Sequence, residues 1–315
     1  MPNASEIEFK PAFVERYSKL TDFEAFKTCS LSFPRRSIRI NTLKKTVTEV
    51  KKRLEGQGWK LDQIPWCLEG FWVEHEKGRR DIGNTPEHML GYYYVQEAVS
   101  MIPPLALDPQ PGEIILDMCA SPGSKSSQIA QMMKNEGILI ANDYQGIRLA
   151  PLGINLQRMG ITNSIITLME GRYFEKSGIQ FDRILVDAPC SGTGTIRKSI
   201  KTLRIWNPNA IKRLAGTQRQ LIKVAYDILT PGGTMVYSTC SCEPEENEGI
   251  IDHLLNERQG AELVPFALPL KRSDPITVFG KFTYSDEVRK TLRLWPQDNN
   301  TEGFFVAKIR KSNDL

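Results

Sequence analysis

From Gly112 to the carboxyl end, short apolar runs alternate with segments of helical periodicity, and this alternation restricts the fold more than any other feature of the chain. The runs 113–118, 138–142, 164–168, 182–186, 234–238 and 304–309 have the length and residue types of buried strands. The segments 124–133, 146–159, 210–228 and 245–256 have the apolar spacing of helices. Strands of this kind with helices between them call for a parallel sheet covered on both sides. The predicted class is therefore α/β, a doubly wound sheet with its ligand site at the carboxyl ends of the strands.

The first part of the chain reads differently. Phe13, Val14, Tyr17, Leu20, Phe23 and Phe26 recur at helical spacing and predict one or two short packing helices. A strand at 37–41, a helix at 46–55 stopped by Gly56 and Gly58, and extended runs at 59–64 and 71–74 predict a small α+β domain. The expected division is 1–85 for this part and 86–315 for the large sheet. Arg35, Arg36, Arg39, Lys44, Lys45, Lys51, Lys52 and Arg53 concentrate here, as a solvated face or as a nucleic-acid contact. The net charge of +4 permits such a partner without demanding one.

Several classes are disfavoured. No run approaches the roughly 20 apolar residues of a membrane span, and 1–13 is too polar for a signal peptide, so a soluble, cytoplasmic chain is expected. The six cysteines lack regular spacing, which argues against a disulfide framework. Cys240 and Cys242 are closer in sequence than zinc ligands usually are, and His75, His88 and His253 show no ligand pattern, so no metal is expected.

The run EIILDMCASPGSKSSQIAQMM is a strand, a tight loop and a helix. Its loop, Cys119, Ala120, Ser121, Pro122, Gly123, Ser124 and Lys125, would present backbone amides to a closely approaching ligand, and Cys119 also suits packing after the strand. It lacks the glycines of a dinucleotide fold and the ending of a phosphate loop. Asp143, after the second strand, stands where carboxylates grip ribose hydroxyls in such folds. Arg148 and Glu170 are further candidates by position.

Two later strands each deliver a cysteine to the same sheet edge, Cys190 in FDRILVDAPCSGTG and Cys240 in GGTMVYSTCSCEPEENE. Together with DMCASPGSK, RINTLK and YYYVQEAVSM, the segments DAPCSG and YSTCS followed by EENE resemble the Nop/Sun (NSUN-type) family of RNA cytosine-5 methyltransferases over residues 39–311. The resemblance implies a Rossmann-like methyltransferase domain, an amino-terminal domain similar to an RNA-recognition fold, S-adenosyl-L-methionine as donor and RNA as partner. It also implies that Cys240 attacks the base and that Cys190 assists product release. Ser121 and Ser124 stand where many members carry alanine and glycine, and the serine at the second place is similar to the eukaryotic tRNA-directed branch, which favours tRNA over rRNA. A monomer is expected.

The chemistry accounts for these residue types. A thiolate adding to carbon 6 of cytosine makes carbon 5 nucleophilic enough to accept a methyl group. Charge developing at ring nitrogen 3 needs an acid, for which Asp187 is placed and whose pKa partial burial would raise. Lys125 could contact the base or the cofactor carboxylate, Pro189 stiffens the turn before Cys190, and Tyr92, Tyr93 and Tyr94 serve stacking or core packing. Cys190 or a water then removes the proton from carbon 5. Both cysteines are well placed, and the priority of Cys240 rests on the resemblance alone. The rival readings are a DNA cytosine-5 methyltransferase, which Cys190 after Pro189 would suit, an amino-group methyltransferase, the same chemistry on ribosomal RNA, and an inactive RNA-binding protein.

Overall fold

The computed structural model describes residues 4 and 7–313; the remainder of the polar opening read at 1–13 lies outside the described residues. The chain opens with α1 (Pro11–Ser18) and α2 (Phe23–Ser30), followed by β1 (Ser37–Ile40), α3 (Val47–Glu55), β2 (Trp59–Gln63) and β3 (Gly70–His75). After α4 (Pro86–Met89), β4 (Tyr93–Val95) and α5 (Ile102–Leu107) come β5 (Ile114–Asp117), α6 (Ser124–Met132), β6 (Ile138–Asp143), α7 (Gly146–Met159), β7 (Ser164–Leu168) and β8 (Phe181–Asp187). Then follow α8 (Lys201–Ile205), α9 (Pro208–Asp227), β9 (Leu229–Thr239), α10 (Glu248–Glu257), β10 (Ala261–Leu263), β11 (Val278–Phe279), β12 (Phe282–Thr283), β13 (Leu292–Leu294), α11 (Pro296–Asn299) and β14 (Phe304–Lys311).

The large sheet has the order β10-β14-β9-β8-β5-β6-β7, with β13 joined to β14. Its strands alternate their side chains between two cores. Ile115, Leu139, Leu185 and Val236 meet Ile102, Ala106, Ile129 and Ala130 of α5 and α6 on one face. Leu116, Ile140, Ile184 and Met235 meet Leu221, Ile222, Ile250 and Leu254 of α9 and α10 on the other. Each such side chain contributes about 1.5–3 kcal/mol by burial, which makes this register hard to shift. The expected doubly wound α/β sheet is present, with one difference. Strands β7, β6, β5, β8 and β9 are parallel, but β14 enters antiparallel between β9 and β10. Its approach from β13 runs through α11 and Asn300 at φ 54°, and antiparallel neighbours can be joined this way where parallel ones need a crossover.

The small sheet is antiparallel, in the order β2-β3-β1-β4. Thr46 starts α3 with a capping box, its hydroxyl accepting from the Glu49 amide while the Glu49 carboxylate accepts from the Thr46 amide. Val50 and Leu54 of α3 then close over Ile38, Ile40, Trp59 and Tyr93. Because β4 pairs with β1, this sheet extends beyond residue 85, where the sequence reading ends the first domain. Helices α1 and α2 pack elsewhere: Phe13, Tyr17 and Phe26 bury themselves against Trp206, Trp295 and Cys242 of the large domain.

The basic cluster separates by role. Arg39 is fully buried, contrary to both expectations for it, and donates to Gln96, to Ser127 at 2.8 Å and to Gln131, stitching β1 to α6. Burial lowers its guanidinium to about 10. Lys44 donates to the carbonyls of Leu90 and Arg158 at 2.9 and 2.7 Å. Tyr93 and Tyr94 are core residues. Among the described residues no helix is long and apolar enough to cross a membrane.

Candidate active site

The carboxyl ends of β5, β6, β8 and β9 meet at one edge of the sheet, and each ends in a polar residue. After β5 the chain turns through Gly123 at φ +100°, where a Cβ would approach Leu152 Cδ1 to 3.1 Å, so glycine both permits the turn and lets α7 pack close. Ser121 and Arg148 hold the loop reciprocally. The Ser121 hydroxyl donates to the Arg148 carbonyl at 2.8 Å, and the Arg148 guanidinium donates to the Ser121 carbonyl at 2.7 Å. The Ala120 amide donates to the Asn142 carbonyl at 2.7 Å. Helix α6 is polar yet buried at Ser126, Ser127, Gln128 and Gln131, which is tolerable because these side chains find partners in the loop, β1 and the segment before α5.

A cavity of about 430 Å³ opens beside this loop, lined by Met118, Cys119, Tyr144, Glu170, Pro189 and Leu221 among others. Asp143 ends β6 in a buried position; one carboxylate oxygen accepts from the Gln145 amide at 3.1 Å. The other lies 3.4 Å from Arg148 and has no hydrogen-bond partner. A buried carboxylate oxygen lacking a donor fits a ribose hydroxyl. The cavity size suits a nucleoside-sized group, and S-adenosylmethionine therefore fits the residues present. Asp143 would hold its ribose, Tyr144 and Leu221 would flank its base, and the loop 119–124 would approach its amino-acid end. Glu170 lines the cavity at its half-exposed rim, ion-paired with Arg172 at 2.7 Å. Burial, with the charges of Asp117, Asp187 and Asp143, pushes the Cys119 thiol up, so this cysteine stays an inert wall.

Beyond Pro189 lie the two cysteines. Cys190 Sγ and Cys240 Sγ are 3.3 Å apart, both free and both half-buried. Asp187, at the end of β8, accepts from Lys125 Nζ at 2.7 Å on one oxygen and from Ser238 Oγ at 2.7 Å on the other. Burial would lower the Lys125 ammonium, but attraction to Asp187, Asp117 and Cys240 outweighs it and holds Lys125 above its ordinary value. The opposite sign acts on Cys190. Its hydrogen bond to Cys240, its burial and the charges of Cys240 and Glu246 push the Cys190 thiol well above its usual range. Cys190 is thus held as the protonated thiol of the pair.

Three features of this corner escaped the sequence reading. Asp117 is buried and accepts from Ser126 Oγ at 2.6 Å, while its other oxygen has no partner. Burial, opposed by Ser126 and reinforced by Asp187, raises its carboxyl to about 7. Its only sequence signal is an acid in the last turn of an apolar strand. Glu246 binds the two cysteine loops together. It accepts from the Ser191 amide at 2.9 Å, from Gln218 at 3.1 Å, and from the hydroxyls of both Ser191 and Ser241. Asn247 adds a bond to the Ser241 carbonyl at 2.8 Å. Gly194 is the third, because a Cβ there would stand 2.2 Å from the Gly303 carbonyl oxygen and 2.8 Å from that of Cys240.

The remaining acids of EPEENE brace the loop from outside. Glu243 accepts from Tyr17 and Trp206, both at 2.9 Å, and pairs with Arg16 at 2.7 Å, which explains why α1 packs where it does. Glu248 pairs with Arg293 at 2.6 Å, both side chains fully enclosed. Among the described residues no group of three or more His, Cys, Asp or Glu is placed to hold a metal ion.

Comparison with known proteins agrees with this arrangement. The chain matches the description "16S rRNA methyltransferase RsmB/F" over residues 104–310 and "N-terminal domain of 16S rRNA methyltransferase RsmF" over residues 9–98. It is 48% identical to a tRNA (cytosine(49)-C(5))-methyltransferase of Pyrococcus abyssi, covering 95% of each chain. It is 45% identical to a ribosomal RNA small subunit methyltransferase F of Aliivibrio salmonicida over 89% of its own length, but spans only 58% of that relative. A crystal structure of a methyltransferase homolog from Pyrococcus horikoshii superimposes with a TM-score of 0.86 at 38% identity, covering 99% of both chains. With a two-cysteine site at the sheet edge and matches along most of its length, the chain belongs to the RsmB/F (Nop/Sun) family of S-adenosylmethionine-dependent RNA cytosine-5 methyltransferases.

Proposed function

We propose that this protein methylates carbon 5 of a cytosine in tRNA, through a covalent bond between Cys240 and carbon 6 of the base. The observation that carries the reading is the sulfur pair itself, 3.3 Å apart at the sheet edge that also holds the Lys125–Asp187 ion pair, and the order of the two cysteines follows the family resemblance. The carboxylate of Glu246 is among the causes that keep the Cys190 thiol protonated. Cys190 donates a hydrogen bond to the Cys240 thiolate until it attacks.

As Cys240 Sγ bonds to carbon 6, the ring electrons move toward nitrogen 3, which takes a proton from the Lys125–Asp187 pair. S-adenosylmethionine, when bound, supplies an electrophilic methyl group on a sulfonium, and carbon 5 receives it. Once Cys240 is bonded to carbon, its charge no longer holds up the Cys190 thiol. Cys190 can then release its proton to solvent, accept the one on carbon 5, and let the Sγ–C6 bond break with return of the thiolate, while nitrogen 3 gives its proton back to the Lys125–Asp187 pair. The base must leave its stack to reach this edge.

The choice of tRNA is supported by the full-length match to a tRNA-directed relative, against partial coverage of the ribosomal ones. Methyl transfer from labelled cofactor to a tRNA transcript with cytosine at position 49 tests it, with the same transcript carrying uridine there and small-subunit ribosomal RNA as comparisons. Incorporation into ribosomal RNA but not tRNA would overturn the substrate; incorporation into neither would overturn the activity.

A further inference from the structure

A second cleft, of about 280 Å³, lies where the segment before β1 meets the turn after Cys190. Phe33, Arg36, Arg80, Arg197 and Lys198 line it. Three observations indicate that it takes an anion. The first is charge: among the described residues no carboxylate lies within ion-pairing distance of Arg36 or Arg80, and the two guanidinia repel each other. Arg35 and Arg197 repel likewise. Asp81 acts on Arg36 and Glu302 lies 3.9 Å from Lys198, but the cations of the cleft outnumber these carboxylates, and an anion relieves the excess positive charge. The second is Arg197, which is 2% exposed and whose Nε is buried without a hydrogen-bond partner. The third is the exposed face of Phe33, with Arg80 Cζ 4.4 Å from its ring centroid, a flat platform beside positive charge.

The cleft is also linked through the backbone to the Cys240 loop. Lys198 Nζ is 3.9 Å from the Glu302 carboxylate. The next residue, Gly303, donates to the Gly194 carbonyl at 2.9 Å, and Gly194 donates to the Cys240 carbonyl at 2.9 Å. The other basic residues of the amino-terminal region differ, since Lys45 and Lys51 on and before α3 are paired with Glu49 and Glu55.

We propose that this cleft holds the phosphate backbone of the unpaired RNA next to the target cytosine, with Arg36, Arg80 and Lys198 on the phosphates and Phe33 under a neighbouring base. The proposal rests on the methyltransferase reading above and gives the path by which its substrate reaches Cys240.

The test compares the triple variant Arg36→Ala, Arg80→Ala, Lys198→Ala with a control of equal charge loss on α3, Lys51→Ala, Lys52→Ala, Arg53→Ala. Fluorescence anisotropy with a labelled tRNA transcript measures affinity between 50 and 300 mM salt, and calorimetry with S-adenosylhomocysteine checks that the cofactor site is intact. The cleft variant should bind RNA about 10- to 100-fold more weakly at physiological salt, and its salt slope should fall by about 2, as three lost single-strand phosphate contacts require. Cofactor affinity should hold, and the loss should fall on KM for RNA. A cleft variant that binds RNA no more weakly than the control, while wild-type protein binds and methylates the transcript, overturns the cleft alone. Wild-type protein that neither binds nor methylates RNA overturns the functional reading and the cleft with it.

Discussion

Cys190, just past the end of β8, and Cys240, just past the end of β9, stand sulfur to sulfur at 3.3 Å, with the loops that carry them bound together by Glu246. Opposite behaviour is expected from their alanine variants. Cys240→Ala should abolish turnover and any covalent RNA adduct. Cys190→Ala should attack normally but release slowly, so that a protein–RNA adduct accumulates on a denaturing gel. An adduct formed by Cys240→Ala and absent in Cys190→Ala would reverse the two roles.

Glu246 acts on the chemistry by positioning both cysteine loops and by its charge. Glu246→Gln keeps the shape but removes the charge, whereas Glu246→Ala also leaves buried donors without partners, at about 1–3 kcal/mol each. Alkylation of Cys190 should therefore begin at lower pH in Glu246→Gln than in wild type. A merely structural glutamate would leave that pH profile where it is while lowering the melting temperature.

Asp143, next in the chain to the cavity-lining Tyr144, has a buried carboxylate oxygen without a donor. Asp143→Ala should weaken S-adenosylmethionine binding by about 10- to 100-fold, the worth of one or two hydrogen bonds to a charged group. Asp143→Asn, which preserves volume, separates this loss from a collapsed loop. Unchanged calorimetric affinity in both variants would remove Asp143 from the site.

Asp117 makes stability depend on pH. Its folded value near 7 lies above the ordinary 3.8, so the protonated carboxyl supports the fold. That contribution is fully present below about pH 4 and is lost as pH rises through 7, at an upper bound of about 4 kcal/mol. Asp117→Asn, neutral throughout, should melt higher than wild type at pH 8 and lose that advantage at pH 4. Parallel melting curves for the two proteins across this range would show that Asp117 ionises without penalty.

Much of this protein was determined by residue order, because the signals involved are local. The strand and helix periods from Gly112 onward, the turn at Gly123, and the arrival of Cys190 and Cys240 at strand ends all depend on neighbours within a few positions. The antiparallel entry of β14, the pairing of β4 with β1 and the burial of Arg39 were decided only by tertiary packing, since each depends on a partner distant in sequence. The same holds for the distinction between the sulfurs. Two half-buried thiols at one edge are equivalent in the sequence; the fold sets them 3.3 Å apart and brings a carboxylate from the turn before α10 to bear on Cys190. Charge acts through space, and only the folded chain sets those distances.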